Sequence, residues 1–361
     1  MKLVLAGGGT GGHLFPALAI AEALKSEDPS SDVLFVGTKR GIEAKLIPQT
    51  NFPIKFVSAR GIMRTGIFNS LRAGIEIPIG IIQSFKIIND FKPDFVLGVG
   101  GYASAPTLAA ALILNIKTGV QEQNSIMGVA NRMLAKFVDK IFISWENTKP
   151  STPPERTFLV GNPVRKTLLE EPEHRPGNSD KFKILIFGGS KGANSLNLGV
   201  IDHLSQLKPK EGQIKIVHQT GSELFEKVRG AYQKSGIEAE VKDFITNMGS
   251  YYSWADLVIC RAGASSLAEI TAVGKPAIVV PFPFAAEDHQ TKNAQWLESR
   301  NAVKTVKDSD LKHGALIIKI IELMENPSSL ESMAKNARML GKPNAARSIV
   351  IEILKDKRLA A

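Results

Sequence analysis

The sequence predicts an α/β protein built as two similar halves, each a parallel sheet covered by helices. Three observations carry this expectation. A short apolar strand, Lys2-Leu-Val-Leu-Ala6, runs into the glycine-rich turn Gly7-Gly-Gly-Thr-Gly-Gly-His13. A close analogue, Lys183-Ile-Leu-Ile-Phe-Gly-Gly-Ser-Lys-Gly-Ala193, recurs in the second half of the chain. Throughout, apolar runs of strand length alternate with helical segments, the pattern of sheets whose strands are joined by crossover helices.

In the first half, strands are expected at Leu3–Ala6, Val33–Val36, Phe95–Val99, Thr118–Gln121 and Lys140–Ser144, with helices at Pro16–Ser26 and Ala103–Leu114. After Gly161-Asn-Pro-Val-Arg165 comes a polar, proline-bearing stretch, Glu170 to Asp180, which reads as a linker within 163–180. The alternation restarts with Ile184–Phe187, Ile214–Gln219, Leu257–Cys260 and Ala277–Pro281. Gly341-Lys-Pro343 then breaks the pattern, and the amphipathic segment Ala345–Leu354 is expected to return to the first half. The expected domains are 1–162 and 181–340, with 341–361 as the returning helix.

A chain of 361 residues, 43% of them hydrophobic, exceeds what one core usually fills, so two domains are the better expectation. The 45 Lys and Arg against 35 Asp and Glu give a formal charge of +10, which suits an anionic partner: nucleic acid, a nucleotide or an acidic membrane surface. The single cysteine, Cys260, excludes an internal disulfide framework and reads as a packed strand residue. The chain enters a strand at once, without a signal-type segment, and its longest apolar run, Ala109 to Leu114, is too short to span a bilayer. An intracellular protein, soluble or peripheral, is expected.

Each motif has a functional and a plainer reading. The first glycine loop fits G-x-G-x-x-G through Gly7, Gly9 and Gly12, which suggests a dinucleotide. Yet Val33-Leu-Phe-Val36 ends in Gly37-Thr-Lys-Arg40 rather than in an acidic residue, which disfavours NAD and leaves NADP, with Lys39 or Arg40 on a 2′-phosphate, as an alternative. Ser190-Lys191-Gly192 lacks the residue order of a lysine phosphate loop. Glycines that merely allow tight strand-to-helix packing are the plainer reading, weaker for two loops than for one. His13 sits where the first helix should begin; the helix-end potential favours a neutral imidazole that accepts a proton, and the alternative is a histidine bonded to the turn. In Arg261-Ala-Gly-Ala-Ser-Ser-Leu-Ala-Glu269, Ser266 and Glu269 have capping-box spacing. A helix N-terminus opened by Gly263 and Ala264 also suits a diphosphate, with Glu269 on a ribose diol.

Further on, Phe284-Ala-Ala-Glu-Asp-His-Gln290 with Asn293 reads as a grip on sugar hydroxyls or as a solvated turn. No His or Cys spacing fits zinc, so no metal is expected, and Asp308-Ser-Asp310 reads as the cap of a helix near Leu311. Leu71, Ile75, Pro78, Ile82 and Phe85 recur at three- and four-residue steps beside Arg60, Arg64, Arg72 and Lys86. That stripe is either a core-facing helix or an apolar, basic-rimmed patch that seats on an anionic membrane.

Taken together, Gly8-Gly-Thr-Gly-Gly-His13, Gly98-Val-Gly-Gly-Tyr102, Glu122-Gln-Asn124, Gly161-Asn-Pro-Val-Arg165, Gly188-Gly-Ser190, Arg261-Ala-Gly-Ala264 and Asp288-His-Gln290 resemble, in order and spacing and over nearly the whole chain, one enzyme family. It comprises the UDP-N-acetylglucosamine transferases that act on undecaprenyl-pyrophosphoryl-N-acetylmuramoyl-pentapeptide in peptidoglycan precursor synthesis. The resemblance implies a GT-B fold, two Rossmann-like domains with parallel sheets facing a central cleft, the first for the acceptor and membrane, the second for UDP-N-acetylglucosamine. It places Thr10, Gly11, Gly12 and Asn124 near the donor sugar and the acceptor hydroxyl, and Arg165 and Ser190 at the diphosphate. It sets Ile245 against uracil, Ala264, Ser265, Ser266, Leu267, Ala268 and Glu269 around phosphate and ribose, and Gln290 on the sugar hydroxyls. Two positions depart from the family pattern: Lys191, where glutamine is common, and Gln121, where histidine often precedes Glu-Gln-Asn. The second departure leaves His13 as the expected base and Glu122 as the less favoured candidate. The resemblance further implies no cofactor, no nucleic-acid partner, and a peripheral location on the cytoplasmic face of the inner membrane. The alternatives beside it are a UDP-N-acetylglucosamine 2-epimerase of the same fold, which needs no lipid acceptor, and a non-catalytic membrane-associated binding protein.

Overall fold

Leu3, Val4, Leu5 and Ala6 are all buried. An apolar run without alternation is what a strand covered by helices on both faces requires. The computed structural model describes residues 1–59, 67–148, 153–170, 181–189 and 192–359, with the backbone alone over 67–75 and 356–359. It divides into two compact units, residues 1–165 with 344–361, and residues 166–343.

The first unit contains, in chain order, β1 (Lys2–Ala6), α1 (Gly11–Glu27), β2 (Asp32–Gly37), α2 (Glu43–Leu46), β3 (Ile54–Phe56), α3 (Ile67–Phe91), β4 (Phe95–Gly98), α4 (Ser104–Ile113), β5 (Lys117–Glu122), α5 (Val129–Leu134), β6 (Lys140–Ile143) and β7 (Thr157–Leu159). All strand pairs are parallel, in the order β3-β2-β1-β4-β5-β6-β7. Chain direction across the sheet reverses between β1 and β4, whose ends meet in register at Ala6 and Gly98. That reversal opens a crevice at the carboxyl ends of the strands, where open α/β sheets take their ligands. Helix α1 starts five residues before the expected Pro16, because Thr10 takes the N-cap position with extended backbone and Pro16 lies inside the helix.

The second unit contains α6 (Lys166–Leu169), β8 (Phe182–Phe187), α7 (Asn194–Ile201), β9 (Ile214–Gln219), α8 (Phe225–Ser235), β10 (Ala239–Lys242), α9 (Met248–Trp254), β11 (Leu257–Arg261), α10 (Ala264–Val273), β12 (Ala277–Val280), α11 (His289–Glu298), β13 (Val303–Thr305), α12 (Ala315–Met324) and α13 (Pro327–Leu340). Its parallel sheet runs β10-β9-β8-β11-β12-β13, with the reversal between β8 and β11. Helix α6 falls in the stretch expected as linker; it packs on α9 and α10 instead. The last helix, α14 (Ala345–Leu359), lies on α1 in the first unit, with Ile349, Val350 and Ile353 buried beside Leu14, Ile20 and Leu24.

Two buried polar side chains of the second unit show how the core treats ionisable groups. His218 on β9 is bonded through Nδ1 to Tyr232 Oη (3.0 Å) and through Nε2 to Asn197 Oδ1 (3.1 Å), and loss of solvent pushes its pKa down to about 3, so the ring is neutral. Cys260 is fully buried, and burial pushes its thiol up, consistent with a packed strand residue.

The stripe on α3 divides. Phe85 packs into the core with Ile81, Ile88 and Phe91, whereas Pro78 is exposed, Ile79 is 42% exposed and Ile82 is 68% exposed. Arg60 and Arg64 lie outside the described residues, as do the side chains of Leu71, Arg72 and Ile75.

Candidate active site

In the first unit the loops after β1 and β4 interleave. Gly8 N–H donates to the Gly100 carbonyl (3.1 Å). A Cβ on Gly101 would stand 2.2 Å from the Gly8 oxygen, and one on Gly100 would stand 2.6 Å from His13 Nδ1, both at positive φ. These two positions require glycine for close approach and for backbone conformation alike. Thr10 is exposed at the lip of this loop, and Gly11 and Gly12 open the first turn of α1, which carries His13.

A chain of side-chain amides orients the histidine. His13 Nδ1 lies 3.2 Å from Gln123 Oε1. Gln123 Nε2 donates to the Val99 carbonyl (2.7 Å) and to Gln121 Oε1, and Gln121 Nε2 in turn reaches Asn162 Oδ1 (3.3 Å). With its NH2 committed to acceptors, Gln123 turns its oxygen to the ring, so Nδ1 carries the proton and Nε2 is the accepting nitrogen. Gln121, at the position where the family often has histidine, is fully buried as one link of this chain.

Glu122, the less favoured candidate for the base, is bonded within its own loop. It is 2% exposed, and its four lone-pair positions are taken inside the protein. Oε1 accepts from Asn124 N (3.0 Å) and Nδ2 (3.3 Å), and Oε2 accepts from Gly128 N (3.0 Å) and Asn131 Nδ2 (2.9 Å). The carboxylate thereby holds the loop that carries Asn124.

In the second unit the glycine loop after β8 presses against the end of β9, where a Cβ on Gly192 would stand 1.9 Å from the Thr220 oxygen. Ser190 and Lys191 lie outside the described residues. Helix α10 has Gly263 as N-cap, with nothing within 4 Å of the position its Cβ would take, so the helix N-terminus is open to a ligand. The expected capping box does not form. Ser266 is the third helical residue rather than the cap, and Glu269, 8% exposed, accepts a hydrogen bond from Tyr252 Oη (2.9 Å) in the interior. Ser265 and Ser266 are half-exposed beside the buried Ala264 and Ala268, whereas the side chain of Leu267 is fully buried in the core. The side chain of Ile245 is also buried, at 5% exposure; the exposed apolar side chain at this end is its neighbour Phe244. Gln290, in the first turn of α11, accepts from Phe282 N (2.9 Å) and so ties the 282–290 loop. Arg165 closes the first unit, its guanidinium over the Phe15 ring at 4.8 Å.

Sequence reasoning missed Arg261. It ends β11, is 8% exposed and pairs with Asp308 at 2.6 Å, while donating to the Val280 and Pro281 carbonyls and to Ser195 Oγ. Asp308 is therefore an ion-pair partner that begins the short helical turn Asp308–His313 rather than its expected cap, a position taken by Lys307. The signals were an arginine closing an otherwise apolar strand and its place at the head of the Arg261-Ala-Gly-Ala264 motif, in which the resemblance gave this side chain no role.

Residues 3–143 match the glycosyltransferase family 28 N-terminal domain, and residues 183–349 match the family 28 C-terminal domain. The chain is 45% identical over 361 residues to the UDP-N-acetylglucosamine–N-acetylmuramyl-(pentapeptide) pyrophosphoryl-undecaprenol N-acetylglucosamine transferase of Geobacter sulfurreducens, with 99% of each chain covered. The chain belongs to glycosyltransferase family 28. The enzyme of the same name from Syntrophus aciditrophicus is 44% identical to this family 28 glycosyltransferase over 350 residues, 97% of each chain. Among solved structures, MurG of Acinetobacter baumannii superposes on it with a TM-score of 0.79 at 30% identity, covering 98% of this chain and 99% of that one. A UDP-GlcNAc 2-epimerase from Neisseria meningitidis, at 18% identity and a TM-score of 0.68, shares the fold alone. The two parallel Rossmann-like sheets of this family 28 glycosyltransferase are those of the GT-B class.

Proposed function

We propose that this glycosyltransferase transfers N-acetylglucosamine from UDP-N-acetylglucosamine to the C4 hydroxyl of N-acetylmuramate in undecaprenyl-pyrophosphoryl-N-acetylmuramoyl-pentapeptide, with inversion at C1. The observation that carries this reading is the identity of 45% over essentially the whole chain to a transferase named for that reaction. In the reaction the C4 oxygen forms a bond to C1 as the bond from C1 to the β-phosphate oxygen breaks. UDP leaves with the electron pair, and the hydroxyl proton passes to His13 Nε2. The tautomer imposed by Gln123 supports His13 as base. Thr10, Gly11, Gly12 and Asn124 are assigned to the acceptor hydroxyl and donor sugar around it.

The charge that develops on the departing diphosphate is assigned to the N-terminus of α10, whose helix dipole and the half-exposed hydroxyls of Ser265 and Ser266 favour an anion, with Ser190 and Arg165 in support. Glu269, anchored on Tyr252 through one oxygen, is assigned the ribose, the Phe244–Ile245 segment the uracil, and Gln290 the sugar hydroxyls.

The test is transfer of labelled N-acetylglucosamine from its UDP donor to a lipid-pyrophosphoryl-muramoyl acceptor, with UDP-N-acetylgalactosamine as control. Acceptor-dependent UDP release and a β-1,4-linked product are expected. Acceptor-independent conversion of the donor sugar to its C2 epimer would instead establish the epimerase.

The acceptor's lipid implies work at a membrane surface, and Ile79 and Ile82 on α3, next to the exposed Lys86, support α3 as the docking face. Among the described residues no helix is long and apolar enough to cross a membrane. Binding to vesicles containing anionic lipid is expected to weaken as salt screens the basic rim, and to fall by about tenfold or more in the Ile79→Asp/Ile82→Asp variant, which loses the two exposed aliphatic side chains that would enter the lipid interface. Equal sedimentation of variant and parent would make α3 an ordinary solvent-facing helix.

A further inference from the structure

We infer that Glu43 is a positioning residue of the first glycine loop: its carboxylate holds, from inside the protein, the place a nucleotide-binding loop gives to a ligand phosphate. It thereby sets the segment that carries Thr10 and His13. Glu43 opens the short helix α2 and is 1% exposed. Its Oε2 accepts from Gly9 N (2.6 Å), and its Oε1 accepts from Thr38 N (2.8 Å) and Thr38 Oγ1 (3.1 Å). Three glycines make room for it. A Cβ on Gly8, Gly37 or Gly41 would come within 2.4, 2.4 or 2.0 Å of its side-chain atoms, so one carboxylate is caged by the ends of β1 and β2.

The direction of the loop's donors decides what the loop does. In a dinucleotide site, the N–H groups of such a turn point outward to the pyrophosphate. Here Gly7 N–H donates to the Val36 carbonyl (2.9 Å), Gly8 N–H to the Gly100 carbonyl and Gly9 N–H to Glu43. All three are used internally, and the last bond is charge-assisted, hence short and strong. A phosphate arriving at Gly7 to Gly9 would find those three donors taken and a negative charge behind them. Gly9 is followed by the N-cap Thr10, and His13 comes one turn later, so the bond to Glu43 fixes where α1 begins and where the imidazole sits. Glu43 touches no reacting atom.

The consequence for turnover rests on the transferase reading above, and the experiment separates the two. Full-length Glu43→Gln and Glu43→Ala are compared with the parent in acceptor-saturated transfer, in calorimetric binding of UDP-N-acetylglucosamine, and in amide hydrogen exchange of the peptide containing Gly9. Glu43→Gln keeps the shape but sets an NH2 against an N–H donor. Its kcat is expected to fall roughly 10- to 100-fold, the cost of misplacing a catalytic group by about an ångström, with donor affinity within about twofold and faster exchange at Gly9. Glu43→Ala should behave alike and recover at least about fivefold with excess formate, which refills the glycine cage and leaves the parent unaffected. The inference is overturned by a Glu43→Gln variant with parental kcat and parental exchange, by donor affinity lost in step with kcat, or by folded Glu43→Ala indifferent to formate. A parent chain that transfers no sugar sinks the functional reading alone, and the exchange measurement still judges Glu43.

Discussion

Substituting His13 with alanine is expected to lower the transfer rate by about two to four decades, the usual worth of a positioned general base, while leaving UDP-N-acetylglucosamine affinity within about twofold. At about 1.4 kcal/mol per decade this is roughly 3–5 kcal/mol of transition-state stabilisation. The argument runs through one ring nitrogen. Gln123 is held by the Val99 carbonyl and by Gln121, so only its oxygen can face the ring, and a ring that donates through Nδ1 accepts through Nε2. No such accepting geometry exists at Glu122, whose oxygens are occupied by Asn124, Gly128 and Asn131. Gln123→Leu keeps the ring but removes the acceptor for Nδ1–H, so its rate should lie between the parent and His13→Ala. Single-turnover transfer at saturating donor, read beside calorimetric donor binding, measures both effects. Near-parental turnover in His13→Ala would remove it as the base.

Arg261→Leu is expected to cost about 3–5 kcal/mol of stability in the second unit, the range for removing one partner of a buried ion pair. The guanidinium is among the least exposed charges of the chain, and Asp308 is 19% exposed. Its loss leaves the Asp308 carboxylate with the Ser195 hydroxyl but without its countercharge, and strips the buried carbonyls of Val280 and Pro281 of their side-chain donor. The Phe282 ring, 5.5 Å from the guanidinium, loses its platform, and with it the loop that Gln290 ties. Donor affinity should fall along with stability. Adding Asp308→Ala should recover part of the loss, since the uncompensated charge is then gone. Urea denaturation of the three variants measures the coupling, and a single-variant cost below about 1 kcal/mol would rank the pair with exposed ones.

The central strands were legible because both faces of each sheet are covered: β1, β2, β4, β8, β11 and β12 read as unbroken apolar runs. The edge strands β3, β7, β10 and β13 were not, being three or four residues long, and β3, β7 and β10 have no fully buried residue to mark them. The apolar spacing of α3 located a helix but not its faces, since Phe85 and Ile82 satisfy the same periodicity and end on opposite sides of the exposure divide. Among polar groups, spacing along the chain suggested local bonds that distant partners displaced. Glu269 left Ser266 for Tyr252, and Asp308 left the neighbouring helix for Arg261.

Residue order alone determined the α/β class, the duplicated glycine loops and, through the joint spacing of its motifs, the transferase family. These depend on apolar periodicity and on backbone needs that are local to the chain. Which loop donors are used inside the protein depends on groups brought together through space, and only the folded chain decides that. The same glycine spacing serves an external phosphate or an internal carboxylate, and the approach of Glu43 to Gly9, 34 residues away in sequence, selects the second.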